Sequence, residues 1–325
     1  MSWQKRTDLA IESREIYREG TRREVPGVQV EEAGYSEIKV TRVKVLDELG
    51  ERYIGKPRGN YITLEVPKLN ENDMELQQQV STVMSEELKK LINIDKKAPV
   101  LVVGLGNWNI TPDALGPKVV SKLMITRHLL EYIPDQVDER VRPVCAVSPG
   151  VLGITGIETG EIIRGVVEKV KPALLIAIDA LASRKMERIS TTIQIGDTGI
   201  NPGSGIGNRR MTINKENLGI PVIAIGVPTV VDAATIASDV IDLVIDSLIK
   251  NTPEDSPIYN IIKNMDRGDK YALIREVLNP YTGNLVVTPK EIDSMIENIS
   301  KIVANGINLA LHPGITYEEM LSFIS

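Results

Sequence analysis

The sequence of 325 residues predicts an α/β protein: one large domain with a mainly parallel central sheet flanked by helices, preceded by a β-rich N-terminal extension. Three observations predict it. Several apolar runs end in glycine or aspartate, as strands buried on both faces of a parallel sheet do. Stretches with helical apolar periodicity separate these runs, which is the alternation of a βαβ chain. The core must be aliphatic, because aromatic residues are 4% of a chain that is 42% hydrophobic.

Residues 1–25 are polar and densely charged, and read as a solvated helix or a free arm. In SEIKVTRVKVLD (36–47), Ile38, Val40, Val43 and Val45 alternate imperfectly with polar residues, as in a half-buried strand with an irregularity. NYITLEV (60–66) reads the same way, and Gly55, Pro57 and Gly59 mark a turn before it. Residues 70–93 are helical in pattern, acidic early and with Lys89 and Lys90 late, which suits the helix dipole. PVLVVGLG (99–106) is a fully buried strand, and helical periodicity follows over 116–130. PVCAV (143–147), ALLIAID (173–179) and PVIAIGV (221–227) are further strands. EIIRGVVEKV (161–170) and AATIASDVIDLVIDSLI (233–249) are amphipathic helices between or after them. A polar link at 250–260 leads to a C-terminal helix over 289–311. The domain therefore divides into an extension (9–95), an α/β core (96–250) and a C-terminal helical part (251–325).

Composition removes several function classes. A net charge of −6 disfavours broad phosphate neutralisation, so no nucleic-acid partner is expected. The single Cys145 excludes an internal disulfide or a cysteine-rich zinc site. Two histidines, His128 and His312, leave little for a His-based metal centre; neither metal nor cofactor is expected, and both side chains and Cys145 read as structural. No run of about 18 apolar residues suggests a membrane span, and the charged N-terminus has no apolar signal region, so a cytoplasmic chain is expected.

The chemistry is expected beyond the carboxyl ends of the strands. Asp113 lies in the loop after one strand and Asp179 at the end of another. Each aspartate either caps the next helix or faces a pocket. Held close together, two such carboxylates do not both ionise easily, so one can take a proton from water while the other donates one. The same pair could bind a divalent ion with Glu158 as third oxygen ligand. Gly104-Leu105-Gly106 begins a dinucleotide-type loop, but position 109 is Asn and the fingerprint is broken. NPGSGIGNRR (201–210) is either an anion-cradling loop or a surface loop. There is no G-x-S-x-G elbow to suggest a serine hydrolase.

Together the segments VVGLGN (102–107), TPDALGPK (111–118), ITRHL (125–129), SPGVLGITGIET (148–159), IAIDALASR (176–184), NPGSGIGNRR (201–210), LGIPVIAIGVPTVVDA (218–233), REVLNP (275–280), NLVVTPKEID (284–293) and ALHPG (310–314) resemble the germination protease family. The resemblance implies an endopeptidase that degrades small acid-soluble spore proteins during germination, with a fold like that of hydrogenase maturation proteases. It further implies a homotetramer in the cytoplasm of the forespore or spore core, made as a zymogen that removes a short N-terminal segment. The family's catalytic aspartates map onto Asp113 and Asp179. Its substrates are cut after an acidic and before a large apolar residue; Thr7-Asp8-Leu9-Ala10-Ile11-Glu12 is similar to that motif, departing from it at Asp8 and Ile11. The resemblance thus implies a propeptide of residues 1–8, a cut between Asp8 and Leu9, and a protease domain of residues 9–325. Arg184, Arg188, Arg209 and Arg210 are candidates for a cationic pocket that takes the acidic residue. Two rival readings remain: a metal-dependent maturation-type peptidase of the same fold, and a non-catalytic anion- or nucleotide-binding module.

Overall fold

The computed structural model describes residues 7–69, 73–202, 211–251, 276 and 285–324. Helix α1 (Ala10–Thr21) precedes strands β1 (Val28–Tyr35), β2 (Ile38–Val45) and β3 (Gly59–Glu65), with α2 (Glu48–Ile54) between the last two. Then come α3 (Met74–Leu91), β4 (Val100–Gly104), α4 (Leu115–Val120), α5 (Arg127–Tyr132) and β5 (Val144–Val147). Next are α6 (Leu152–Thr155), α7 (Thr159–Val170), β6 (Leu174–Ser183), β7 (Thr192–Gly196), α8 (Lys215–Leu218), β8 (Val222–Asp232) and α9 (Ala233–Asn251). Strand β9 (Val286–Val287), α10 (Ile292–Leu311) and α11 (Tyr317–Ile324) complete the described chain. None of its helices is long and apolar enough to cross a membrane.

The strands form one sheet in the order β1-β2-β3-β7-β8-β6-β4-β5, with β9 beside β8. Strands β8, β6, β4 and β5 run parallel, matching the continuous apolar runs. The N-terminal strands are antiparallel and continue this sheet, because β3 pairs with β7 over Tyr61–Glu65 and β7 with β8.

Alternate residues along each strand face opposite sides. On one side, Ile62, Leu64, Ile193, Ile195, Ile176, Ile178, Ile223 and Ile225 pack with Met84 and Leu88 of α3 and Ile296, Ile299 and Val303 of α10. The other side is covered in two places. Leu101, Val103, Leu175 and Ala177 lie under Ile163 and Val167 of α7, whereas Val43, Val45 and Tyr61 lie under Ala10 of α1 and Ile54 of α2. Between these covers the sheet face is left for the site.

Asp73 caps α3 by accepting from the N–H groups of Glu75 and Leu76 at 2.9 and 3.1 Å. The helix expected over 116–130 is instead broken into α4 and α5. The intervening chain is drawn away by tertiary bonds: Met124 N–H donates to Asn308 Oδ1 at 3.0 Å, and Thr126 exchanges two bonds with Val144 at 3.0 and 2.9 Å.

His312, at the end of α10, is structural as expected. It is 1% exposed, its Nδ1 accepts the Arg142 N–H at 3.1 Å, and burial lowers its pKa to about 4. The unfolded chain takes up this proton near pH 6.5, whereas the fold resists it down to about 4. The contribution is therefore fully present above pH 6.5 and is lost as the pH falls toward 4; the gap is worth about 3 kcal/mol. Urea unfolding at pH 7 and pH 4 should show a smaller acid loss for His312→Gln, which has no group to protonate.

Candidate active site

After β4 the chain turns at Gly106, where φ is +111°, and passes Asn107 to a 3-10 turn at Thr111–Asp113. The Asn107 N–H donates to both the Asp113 side chain, at 2.8 Å to Oδ2, and the Asp113 carbonyl, at 3.0 Å. A Cβ on Gly106 would lie 2.0 Å from that carbonyl oxygen, so the close turn requires glycine.

Asp179 belongs to β6, is 7% exposed, and accepts the Ala180 N–H on Oδ1 at 2.9 Å. Leu105 donates to the Ile178 carbonyl at 2.8 Å, which carries the β4–β6 pairing one residue beyond Gly104. The 3-10 turn bearing Asp113 packs on β6 and β8. Asp113 thus follows the carboxyl end of β4, where open α/β sheets bind ligands. Asp179 stands level with that end but not at the strand end expected of it, because β6 goes on pairing with β8 through Ser183.

Register sets the floor beside them. Asp179 is opposite Gly226, and Gly226 is opposite Gln194, so all three face the uncovered side of the sheet. Asp179 and Gln194 are two strand spacings apart, about 10 Å. Gly226 keeps the space between them open; a Cβ there would come within 2.4 Å of the Leu181 side chain.

The N-terminal segment lies across this floor. Asp8 donates its N–H to the Ala182 carbonyl at 3.0 Å, and its Oδ2 accepts the Ala182 N–H at 2.9 Å. Gln194 Nε2 donates to the Asp8 carbonyl at 3.1 Å, and its Oε1 accepts the Ala10 N–H at 2.7 Å. Leu9 is completely buried, in one apolar cluster with Ile11, Leu181 and Ile200. Glu12 is 1% exposed and accepts from the N–H groups of Arg184 and Lys185, at 2.7 and 3.2 Å, and from Arg188 at 3.1 Å. The Thr7 hydroxyl also donates to Glu12. The expectation of a solvated or free arm is corrected for residues 7–12, because burial of Leu9 and Ile11 and these backbone bonds seat the segment.

A cavity of about 320 Å³ opens beside Asp8, lined among others by Lys56, Tyr61, Leu181, Asn201 and Gly226. Burial pushes the Lys56 ammonium below its ordinary pKa, and the charge of Asp8 opposes that shift. Lys56 is a cationic partner that sequence reasoning missed, since nothing in the spacing of GKPRG ties it to Asp8. Gln194 was also missed; alternation with Ile193 and Ile195 reveals its face but not what crosses it.

Arg184 and Arg188 do reach the N-terminal segment, but on the other side of the Asp8–Leu9 bond. Arg184 pairs with Glu19 at 3.1 Å and Asp239 at 3.5 Å. Arg188 pairs with Glu15 at 2.6 Å and Glu65 at 2.8 Å as well as Glu12. Both therefore fasten α1. Arg209 and Arg210, with most of their glycine-rich loop, lie outside the described residues. Glu158 sits just before α7, with Oε1 buried and without a hydrogen-bond partner. It does not join Asp113 and Asp179 in a metal-ligating group; among the described residues no three His, Cys, Asp or Glu side chains form one. His128 is exposed on α5. Cys145 is half-buried in β5, and burial pushes its thiol pKa up.

Comparison with known proteins gives this architecture a class. The family model described as germination protease matches residues 5–261 and 251–324. The fold and this match define a peptidase built on an α/β sheet. A germination protease of Clostridium tetani is 56% identical over 320 residues, covering 98% of this chain and 99% of that protein. One from Caldanaerobacter subterraneus subsp. tengcongensis is 59% identical over 315 residues, covering 97% and 96%. The Bacillus subtilis germination protease is 45% identical, covering 98% and 96%. The chain belongs to the germination protease family. Among solved structures, the NiFe hydrogenase maturation protease HycI from Thermococcus kodakarensis KOD1 is 19% identical with a TM-score of 0.28, covering 44% of this chain and 80% of that one.

Proposed function

We propose that this peptidase is an aspartate-dependent endopeptidase that starts the degradation of small acid-soluble spore proteins during germination, and that it is made as a self-processing zymogen. The observation that carries the reading is the seating of the Asp8–Leu9 bond on the sheet face that also bears Asp179.

In this mechanism one carboxylate of Asp113 and Asp179 takes a proton from water as the water oxygen attacks the Asp8 carbonyl carbon. The other, in its protonated form, gives a proton to the Leu9 nitrogen as the C–N bond breaks. The products are a carboxylate on Asp8 and a free amine on Leu9. The two roles are assigned to the dyad and not to either residue singly.

Substrate choice follows from the same contacts. The Ala182 N–H and Lys56 suit an acidic side chain before the bond, and Leu181 with Ile200 suits an apolar one after it. While residues 7–12 stay in place they occupy the groove a spore protein needs, which is how an uncut arm holds the enzyme inactive. A homotetramer and a spore-core location accompany this reading by family resemblance.

Incubating the purified chain and sequencing its new N-terminus tests it. Leu9 is expected, with the same rate in the presence of a chelator. A first-order rate unchanged on dilution would mark a cut within one molecule. A different N-terminus overturns the site. Loss on chelation restored by one divalent ion would favour the metal-dependent maturation-type peptidase, and an uncut chain that binds nucleotides the non-catalytic module.

A further inference from the structure

We infer that Gln194 is a catalytic residue of this peptidase, whose side-chain amide polarises the carbonyl of the bond to be cut and stabilises the negative charge that grows on its oxygen. The inference rests on the reading that Asp8–Leu9 is the bond cleaved.

Gln194 grips the backbone on both sides of that bond. Its Nε2 donates to the Asp8 carbonyl at 3.1 Å and its Oε1 accepts the Ala10 N–H at 2.7 Å. The second contact fixes the orientation of the amide. A flipped side chain would set its NH2 against the Ala10 N–H, donor against donor, and its oxygen against the Asp8 oxygen. Only one orientation satisfies both contacts, and it aims an N–H at the carbonyl oxygen.

The support is rigid. Gln194 lies within β7, between antiparallel neighbours β3 and β8, with Thr63 and Gly226 as its register partners. Gly226 in turn is the register partner of Asp179. The strand row therefore brings a fixed donor and a carboxylate to the same face of the sheet, on opposite sides of an open floor. As water adds, the carbonyl oxygen gains charge and moves toward a tetrahedral geometry. A donor already oriented there needs no reorganisation, and removing one such donor typically costs about 10²- to 10³-fold in kcat. Both Gln194 contacts are to backbone, so the same clamp serves any side-chain sequence, including a spore-protein segment that replaces residues 7–12.

The test uses the full chain for self-processing, and the processed enzyme with a peptide spanning Thr7 to Glu12. Gln194→Glu keeps size and the acceptor for Ala10 but puts a carboxylate oxygen against the Asp8 carbonyl. Gln194→Met keeps length and has no donor. Both are expected to slow cleavage about 10²- to 10³-fold through kcat, with KM changed only a few-fold. The rate of Gln194→Glu relative to the unmodified chain should rise as the pH falls and the new carboxyl becomes a donor; Gln194→Met should show no such recovery. Folding of each variant is checked by its unfolding midpoint. If the unmodified chain cuts at Asp8–Leu9 and the folded variants match it, or lose only KM, the assignment of Gln194 is overturned and the reading of the site stands. If the unmodified chain does not cut there, both fall.

Discussion

Asp113→Asn and Asp179→Asn should each slow cleavage of the Asp8–Leu9 bond by about 10²- to 10⁴-fold, the range expected when a positioned acid or base is lost. The substitutions isolate chemistry from structure. Asp179 accepts the Ala180 N–H and Asp113 the Asn107 N–H through one side-chain oxygen each, and asparagine keeps an oxygen that can accept the same bond. What it removes is the capacity to take or give a proton near neutrality. Unfolding midpoints should therefore stay close to that of the unmodified chain while single-turnover processing, followed by mass, slows by that factor. Substantial cleavage by either folded variant would remove that aspartate from the mechanism.

Leu9→Asp should release the N-terminal segment from its groove and block processing at that bond. Leu9 is completely buried beside Ile11, Leu181 and Ile200. Losing that burial costs about 1.5–3 kcal/mol, and an unpaired carboxylate in its place costs more, so the site excludes it. The domain itself should survive. Helix α1 is still fastened by Glu15 on Arg188 and Glu19 on Arg184. The expected readout is a folded protein whose first residues become accessible to an added protease, with no new N-terminus at Leu9. Leu9→Ile, which keeps the apolar volume, should still be processed. Equal processing of Leu9→Asp would show that the seated segment is not the form that is cut.

Much of this was legible from local pattern. Continuous apolar runs predict buried parallel strands, and β4, β5, β6 and β8 are those runs. An aspartate straight after five apolar residues predicts a carboxylate at a strand end; Asp179 instead lies within β6, which runs on to Ser183 because pairing with β8 continues past the apolar run. Acidic and basic residues at the two ends of 70–93 predict the polarity of α3. Other elements were not legible, because their cause lies elsewhere in the chain. The helical periodicity of 116–130 is interrupted by bonds to Asn308 and Val144. The charged residues 10–21 suggest solvation, yet Glu12 and Arg14 are buried, because each meets its counter-charge.

The sequence by itself determined the α/β class, the buried strands, and the attachment of Asp113 and Asp179 to two of them. These are properties of a few consecutive residues, set by periodicity and burial. Only the tertiary structure decided that β7 and β8 carry Gln194 and Gly226 into one row with Asp179, that Lys56 stands beside Asp8, and that the N-terminal segment crosses this row rather than solvent. Strand order and register join residues far apart in sequence, and alternation specifies only which face a side chain takes. The neighbour on that face comes from a strand whose place no local pattern encodes.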